Sequence, residues 1–120
     1  MSSSGQIELS LVIPTFNEEG NVQCLYNEIL LVLQQLQITT YEVIFIDDGS
    51  TDGSRVILEK YSSKANISSI FQENSGVSSA RNSGVLASKG RYLMFLDADD
   101  YITSTMVADL VLALPNDNQR

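Results

Sequence analysis

The sequence predicts an α/β fold in which a mostly parallel sheet is covered by helices on both faces. Two observations lead to this prediction. Short apolar runs of strand length alternate with segments of helical periodicity along the 120 residues. Four strands and four helices in strict alternation also require crossover connections, which are right-handed and place consecutive strands parallel. At this length we expect one domain of ordinary size.

The first strand–helix unit occupies the beginning of the chain. The run LSLVIP at 9–14 predicts a strand that stops at Pro14, because proline cannot donate to a sheet ladder. The polar turn TFNEEGN follows, and a helix is predicted from about Val22. Its apolar face is predicted to contain Leu25, Ile29, Val32, Leu33 and Leu36.

A second unit follows with a stronger turn signal. The run YEVIFI at 41–46 predicts a buried strand, and DDGSTDGS after it is rich in turn-forming residues. Thr51 or Asp52 is predicted to cap the next helix. That helix is predicted to continue through Val56, Ile57 and Tyr61.

Two further units complete the pattern. ISSIFQ at 67–72 predicts a weaker strand, and RYLMFL at 91–96 predicts the fourth strand. Between them, small residues recur at helical spacing, which predicts a helix lying unusually close to the sheet: Gly76, Ala80, Gly84 and Ala87. A fourth helix is predicted from Val107, Leu110, Val111 and Leu114. We expect residues 1–8 to be a disordered or extended leader, 9–114 to be the folded part, and 115–120 to be a frayed tail.

The composition excludes several classes of function. A net charge of −8 argues against nucleic acid as a primary partner. The chain contains no histidine, so histidine bases and imidazole metal ligands are excluded, and a metal is expected to be held by oxygen. The sequence shows neither a signal peptide nor an apolar stretch of the roughly 20 residues that span a bilayer. We therefore expect a soluble, cytoplasmic protein.

The single cysteine, Cys24, excludes an internal disulfide and fits a reducing compartment. It lies in the first predicted helix, where we expect it to be a core or partly buried residue and not a nucleophile.

Acidic and polar clusters follow three of the predicted strands: TFNEE, DDGSTD and DADD. Ligands of parallel sheets bind beyond the carboxyl ends of the strands, so these clusters are predicted to meet at one edge. Two carboxylates about 5 Å apart repel by roughly 3 kcal/mol at an effective dielectric constant near 20, which favours recruitment of a cation. Asp97 and Asp99, at positions i and i+2, can point the same way and would suit Mg²⁺ or Mn²⁺. The clusters thus indicate a metal–diphosphate site.

A simpler interpretation of these clusters remains open. Acidic turns after strands often serve only as helix caps and solvated loops, and Asp100 fits that role. Asp47 and Asp48 could likewise form a turn and a cap alone, although an acidic residue at this place in a nucleotide-binding sheet often accepts from a ribose hydroxyl. Neither G-x-G-x-x-G after the first strand nor a P-loop motif is present, which argues against NAD, FAD and P-loop ATPase sites.

Three segments together resemble the consecutive motifs of family 2 glycosyltransferases with the GT-A fold. They are LSLVIPTFNEEGNV, YEVIFIDDGSTDGS and NSGVSSARNSGVLASKGRYLMFLDADD. The resemblance runs from about Leu9 to Asp100 with order and spacing kept, and it implies a Rossmann-like GT-A sheet. The chain is therefore expected to be the N-terminal, donor-binding part of such an enzyme.

The resemblance implies roles for the first two segments. Pro14, Thr15 and Phe16 match the turn that lines the nucleotide base pocket, with Phe16 packing on the base. Asp48 matches the carboxylate that recognises the base, typically uracil through its N3–H. Glu18 belongs to the matching NEE motif and is assigned to the nucleotide site, although neither it nor Glu19 has a clear chemical role in that match.

The third segment supplies the remaining site residues. Asp97 and Asp99 match the D-x-D pair, which handles the ribose and the Mg²⁺ or Mn²⁺ that bridges the donor diphosphate. Gly76 and Arg81 match the segment beside the nucleotide, and Arg81 could equally form a surface ion pair.

The implied reaction is transfer of a sugar from a nucleoside diphosphate donor, expected to be a UDP-sugar, to an acceptor hydroxyl, with inversion. The metal would stabilise charge on the departing diphosphate. The general base is expected beyond the D-x-D pair, and neither Asp109 nor Asp117 matches its position. We therefore expect a truncated donor half that is inactive in isolation. The expected acceptor is a glycan or a lipid-linked molecule, in cell-wall or polysaccharide biosynthesis.

Two alternatives belong to other classes. A receiver-type signalling domain has a similar length and layout, but its acidic pair follows the first strand and a lysine follows the last, which this sequence lacks. A non-catalytic GT-A-like module that binds a nucleotide or a partner chain would retain the same acidic residues. A homodimer through surface exposed by truncation is also expected to be possible, and membrane contact is expected only through other parts of the parent protein.

Overall fold

A four-stranded parallel sheet organises the part of the chain that the computed structural model describes, which is residues 7–64 and 66–97. All three neighbouring strand pairs are parallel. The elements in chain order are β1 (Ile7–Thr15), α1 (Val22–Gln35), β2 (Tyr41–Asp48), α2 (Ser54–Tyr61), β3 (Ile67–Gln72), α3 (Val77–Ala87) and β4 (Gly90–Phe95). The predicted α/β fold class is confirmed.

The boundaries of three strands differ from the predicted ones by one or two residues, and β1 ends at Thr15 and not at Pro14. Two further differences concern the predicted leader and the cap of the second helix. β1 begins at Ile7, inside the segment that was predicted to be a leader. The predicted capping of the second helix by Thr51 or Asp52 is wrong, because α2 begins at Ser54 and Gly53 occupies its N-cap position. Asp52 instead accepts a hydrogen bond from the Ser54 N–H at 2.9 Å, just ahead of the helix. The predicted fourth helix and tail lie outside the described residues.

The larger core lies between the sheet and the pair α1 and α2. It is built from alternate residues of the central strands, including Leu11, Ile13 and Phe45, because successive strand side chains point to opposite faces. One prediction about these helices is corrected. Cys24 is exposed, since it lies off the stripe of α1 that packs on the sheet. Val56 is part of α2 as predicted, and its side chain is 65% exposed.

The helix α3 covers the opposite face of the sheet at very short range. Ala80 and Gly84 of α3 are buried, and they pack against Val12 and Ile46 from the two central strands. A Cβ added at Gly84 would lie only 2.9 Å from Ile46 Cδ1 and closer still to Val12. The close helix–sheet contact predicted from the small residues is therefore confirmed.

The strand order determines where a ligand can bind. The order is β3-β2-β1-β4, so the direction of winding reverses between β1 and β4. In open parallel sheets this reversal opens a crevice at the carboxyl ends of the strands, where ligands bind. The order also excludes the receiver alternative, in which β1 lies between β2 and β3. None of the helices in the described ranges has the length and apolar character needed to cross a membrane.

Candidate functional site

A cleft of about 410 Å³ lies at the carboxyl ends of the strands, where the topology predicts one. Its walls come from the carboxyl ends of β1 and β2, from the segments after β1, β3 and β4, and from the beginning of α3. The lining residues are Pro14, Thr15, Phe16, Glu18, Asp48, Asn74, Gly76, Val77, Ala80 and Asp97. The structure thus brings together every residue predicted for the nucleotide site except Arg81. The contact of these residues with a nucleotide stays a prediction.

The end of β1 places an exposed aromatic ring in the cleft. Pro14 and Thr15 are the last paired residues of the strand, opposite Ile46 and Asp47 of β2. Thr15 is buried and donates its hydroxyl to the carbonyl of Ile13 at 3.3 Å. Phe16 follows immediately, outside the ladder, and remains 47% exposed. An aromatic face left open beside a cleft can stack on a flat ring such as a base.

Asp48 ends β2 and forms the most densely hydrogen-bonded group of the cleft. Its Oδ1 accepts from Gln72 Nε2 at 2.9 Å and from the Ser75 N–H at 2.8 Å, and its Oδ2 accepts from the Gly76 N–H at 3.0 Å. Burial alone would raise the pKa of Asp48, but these three donors outweigh it and leave the pKa below its ordinary value. Asp48 is therefore a fixed carboxylate at neutral pH.

Gly76 forms the turn between β3 and α3 beside this carboxylate. Its φ of 96° is a left-handed conformation that glycine adopts without strain. This conformation aims its N–H at Asp48, and no atom lies within 4 Å of the position that a Cβ would occupy. The turn thus brings the Gly76 backbone next to the Asp48 carboxylate and leaves the space on the side-chain side of Gly76 open.

Arg81 and Asp97 meet at the side of the cleft. Arg81 Nη2 lies 3.5 Å from Asp97 Oδ1, and the two side chains are 42% and 52% exposed. An ion pair this open to solvent stabilises the fold by only about 0–1 kcal/mol. The Arg81 guanidinium carbon also lies 5.8 Å from the centre of the Phe95 ring. Arg81 does not line the cleft but contacts a carboxylate that does.

Asn17 joins the loops that follow β1 and β2, and sequence reasoning did not single it out. Its Oδ1 accepts from the N–H groups of Thr51 at 2.7 Å and Asp52 at 3.3 Å, and its own N–H donates to Ser50 Oγ at 2.8 Å. Asn17 has a φ of 52°, a conformation that asparagine tolerates better than most residues. An asparagine two residues after the end of the first strand was the signal available in the sequence.

Glu19 adds to the same junction and so acquires a structural role. Its Oε1 accepts from the Gly53 N–H at 3.0 Å, and its own N–H donates to Asp52 Oδ2 at 3.2 Å. The neighbouring Glu18 N–H donates to Ser54 Oγ at 2.9 Å, which leaves the Glu18 side chain at the cleft. The two loops therefore hold each other in place beside the cleft.

Gln72 and Asn74 are two more residues that sequence reasoning missed. Gln72 is paired with Asp48 in the sheet and donates to its carboxylate, and Asn74 Nδ2 donates to the Asp48 carbonyl at 3.1 Å. A Cβ on Gly49 would lie 2.7 Å from the Asn74 nitrogen, so the β2–α2 and β3–α3 loops touch. Their role depends on strand register, which the sequence alone does not give.

A comparison with protein families identifies the family of the chain. The family model described as glycosyl transferase family 2 matches residues 10–119. The chain belongs to glycosyl transferase family 2. The expectation drawn from its three motifs is confirmed, and the four-stranded sheet is the beginning of a GT-A fold.

Individual members of glycosyl transferase family 2 agree with this assignment. The uncharacterized glycosyltransferase EpsJ of Bacillus subtilis is 37% identical over 99 residues, which cover 82% of this chain and 28% of EpsJ. The crystal structure of Staphylococcus aureus TarS 1-349 in complex with UDP-GlcNAc matches with a TM-score of 0.74 and 33% identity, over 88% of this chain and 30% of that one.

A more distant structure supports the fold alone. The mannosyltransferase PcManGT from Pyrobaculum calidifontis, in complex with GDP-Man and Mn²⁺, matches with a TM-score of 0.77 at 21% identity, over 95% of this chain and 34% of that one. The family 2 chain described here spans less than a third of the length of the curated relatives EpsJ and TarS.

The described carboxylates of the cleft suit a metal ion that is bound jointly with a ligand, and not one that is held by several protein side chains. No group of three or more acidic or cysteine side chains suited to a metal occurs within residues 7–64 and 66–97. Asp97, half-exposed at the cleft, offers a single hard oxygen ligand, which suits Mg²⁺ or Mn²⁺ bound jointly with substrate phosphates. The second predicted ligand, Asp99, lies outside the described residues. The donor set fits an ion that arrives with a nucleotide.

Proposed function

We propose that the cleft binds the nucleoside diphosphate part of a sugar donor, and that the chain is the donor-binding part of a glycosyltransferase. The observation that carries the proposal is the meeting of Phe16, Asp48 and Asp97 in one cleft at the switch point of the sheet. These residues supply an aromatic face, a fixed acceptor and a metal-type oxygen, which are the three features that a nucleoside diphosphate requires.

The base of the nucleotide occupies the part of the cleft between β1 and β2. Phe16 offers its exposed face for stacking, and Pro14 and Thr15 form the wall behind it. Asp48 accepts a hydrogen bond from an N–H on the edge of the base. A carboxylate held ionised by its neighbours can only accept, so it selects a base edge with a donor. Uracil, with its N3–H, meets this requirement.

The diphosphate lies toward Asp97, where its charge needs compensation. Glu18, Asp48 and Asp97 are all acidic and line the same cleft, so an anionic ligand enters against repulsion. Arg81 contributes one positive charge beside Asp97, at a solvent-exposed position where it is screened. Asp97 and Asp99 would hold a divalent ion, Mg²⁺ or Mn²⁺, which would supply the remaining neutralisation and Lewis-acid assistance to the leaving group.

The reaction transfers the sugar to an acceptor hydroxyl with inversion. The acceptor oxygen forms a bond to the anomeric carbon as the bond to the diphosphate oxygen breaks, and the acceptor proton passes to a general base. No side chain that lines the described cleft matches the position of this base in the family motif. We place it beyond Asp97, in an acceptor-binding part of the parent protein, so the isolated chain should bind the donor without turning it over.

Family membership supports a further proposal for the acceptor and the location of the parent protein. We propose a glycan or a lipid-linked acceptor on the cytoplasmic side of a membrane, with membrane contact made by other parts of the parent protein. The name of the relative TarS, a poly(ribitol-phosphate) β-N-acetylglucosaminyltransferase, describes a polymeric acceptor in that protein. Self-association of the chain into a homodimer is a further expectation that light scattering tests.

Thermal shift measurements test the donor site directly. The wild-type chain is mixed with UDP, GDP or CDP, each with and without Mn²⁺, and compared with Asp97→Asn. Glu59→Gln is the matched control, because it removes the same charge from an exposed position on α2, away from the cleft. We expect UDP with Mn²⁺ to raise the midpoint in the wild type and in Glu59→Gln but not in Asp97→Asn. Equal shifts in all three proteins would overturn the proposal.

Transfer assays distinguish the enzyme from a non-catalytic relative. The parent protein should transfer a sugar from its nucleotide donor, whereas the 120-residue chain should bind the donor without transfer. Donor binding without transfer in both proteins would favour the alternative of a non-catalytic GT-A-like module.

A further inference from the structure

Gln72 contacts the base-reading carboxylate from outside the cleft. It ends β3 opposite Asp48, is half-buried, and is absent from the cleft wall. Its Nε2 donates to Asp48 Oδ1 at 2.9 Å, and its Oε1 accepts from Ser83 Oγ of α3 at 2.8 Å. A chain of three side chains therefore runs from α3 through β3 to the ligand-facing end of β2.

The orientation of the Gln72 amide follows from its two neighbours. An ionised carboxylate can only accept, so the NH₂ group must face Asp48, and the amide oxygen then faces the Ser83 hydroxyl, which donates to it. With the opposite orientation, the amide oxygen would face the carboxylate and repel it. Gln72 thus presents a donor of fixed direction to one oxygen of Asp48.

The number of acceptor positions on Asp48 limits what a ligand can do there. A carboxylate has about four acceptor positions. Within the described residues, three are filled, by Gln72, by the Ser75 N–H and by the Gly76 N–H. One position remains for a ligand, and the two filled positions on Oδ1 prevent a second, parallel hydrogen bond to that oxygen.

We propose that Gln72 is a specificity-determining positioning residue, which limits Asp48 to a single ligand hydrogen bond and so selects uracil over guanine. Uracil presents one N–H between two carbonyl groups, whereas guanine presents two adjacent donors that match a free carboxylate through both oxygens. The inference rests on the proposed donor site and extends it to Gln72, a residue outside the cleft wall. Ser83 acts one step further away by holding the Gln72 amide.

Base analogues separate a positioning role from a structural one. Calorimetry measures the Kd of UDP, of N3-methyl-UDP, which lacks the donor, and of GDP, all with Mg²⁺. In the wild type, N3-methylation should weaken binding by roughly 10- to 100-fold, the range for one hydrogen bond to a charged group. In Gln72→Leu, the ratio of the Kd of N3-methyl-UDP to the Kd of UDP should fall by about fivefold or more. The preference for UDP over GDP should fall by a similar factor.

Companion variants keep the test informative if Gln72→Leu fails to fold. Ser83→Ala removes only the hydroxyl that holds the amide and should lower both ratios in the same direction by a smaller factor. Ser88→Ala, directly after α3, is the matched control and should change neither ratio, since its hydroxyl donates to the Val85 carbonyl and not to Gln72 or Asp48.

The outcomes distinguish this inference from the proposed function. If Gln72→Leu weakens UDP and N3-methyl-UDP by the same factor and leaves the UDP-to-GDP preference unchanged, Gln72 is purely structural and the inference is overturned while the donor site stands. If the wild type binds none of the three nucleotides, the proposed function is overturned and the inference with it.

Discussion

Asn17 Oδ1 accepts a hydrogen bond from the Thr51 N–H at 2.7 Å, and this contact joins the loops after the first two strands of the sheet. Phe16 lies in the first of these loops and Asp48 immediately precedes the second, and both residues line the cleft. An asparagine with no direct place in the cleft wall thus fixes the separation between two groups that line it.

Replacing Asn17 should destabilise the fold and loosen the cleft. Asn17→Ala loses two hydrogen bonds to backbone N–H groups and strains a residue at φ 52°, for a combined loss of about 1–3 kcal/mol in the free energy of unfolding. Asn17→Gly removes the same hydrogen bonds without the strain and should lose less. Urea unfolding measures both. Equal stability of Asn17→Ala and the wild type would contradict the predicted role.

The close packing of α3 predicts an unusual cost for a helical alanine. Gly84→Ala gains about 1 kcal/mol of helix propensity but forces a methyl group into Val12 and Ile46, which costs about 1–3 kcal/mol. We expect a net loss of stability in urea unfolding. Gly20→Ala is the control, because no atom lies within 4 Å of its added methyl group, and its effect should stay within about 0.5 kcal/mol. A stabilised Gly84→Ala variant would disprove the close contact.

Phe16 should contribute to ligand binding and little to folding. Its ring is 47% exposed in the cleft, and loss of stacking on a base costs about 1–3 kcal/mol of binding free energy. Phe16→Ala should therefore weaken UDP binding by roughly 5- to 100-fold in calorimetry with an unchanged melting temperature. Leu31→Ala, an exposed apolar truncation on α1, is the control and should leave the Kd unaltered. Wild-type affinity for UDP in Phe16→Ala would contradict the assignment of this ring to the nucleotide site.

Acid should destabilise the protein partly through Asp48. Burial alone would raise the pKa of Asp48, but its three hydrogen bonds outweigh burial and hold the pKa below the ordinary value of 3.8. The folded state therefore binds this proton less tightly than the unfolded state. The resulting stabilisation is present above the ordinary value and is lost as pH falls through it toward the lowered native pKa. Asp52 should contribute in the same direction, because its pKa is also lowered by hydrogen bonds that outweigh burial.

The measurement for this prediction is the free energy of unfolding as a function of pH. Between about pH 6 and pH 3, the wild type should lose more stability than Asp48→Asn, whose amide does not titrate in this range. Identical pH dependence in the two proteins would contradict the assignment of the lowered pKa to Asp48.

The sequence was sufficient for the elements and for the edge at which the site forms. Apolar runs located all four strands to within about two residues. The signal was strongest for β1 and β2, because a strand buried on both faces leaves a continuous apolar run. Small residues at helical spacing also predicted that α3 lies close to the sheet. The structure shows this at Gly84, where only a residue without a side chain permits the short distance to Val12.

The sequence did not predict the features that depend on the long-range register of the strands. The pairing of Asp48 with Gln72 and the bridge from Asn17 to Thr51 join residues whose separation in space is set by the sheet order. Cys24 was misplaced for a different reason, because the helical stripe that contains Leu25 and Ile29 leaves position 24 off the buried face. That error could have been avoided by following the helical period more strictly.

Nuclear magnetic resonance mapping of UDP binding tests the central claim most directly. The ¹⁵N-labelled chain is titrated with UDP and Mg²⁺, and the backbone amide shifts are followed. The amides of Phe16, Asp48 and Gly76 should move together and saturate with a single Kd, whereas those of Lys60 and Ser63, which line a separate pocket on α2, should stay fixed. Shifts confined to α2, or no saturable shift at the cleft, would contradict the assignment of this cleft as the donor site.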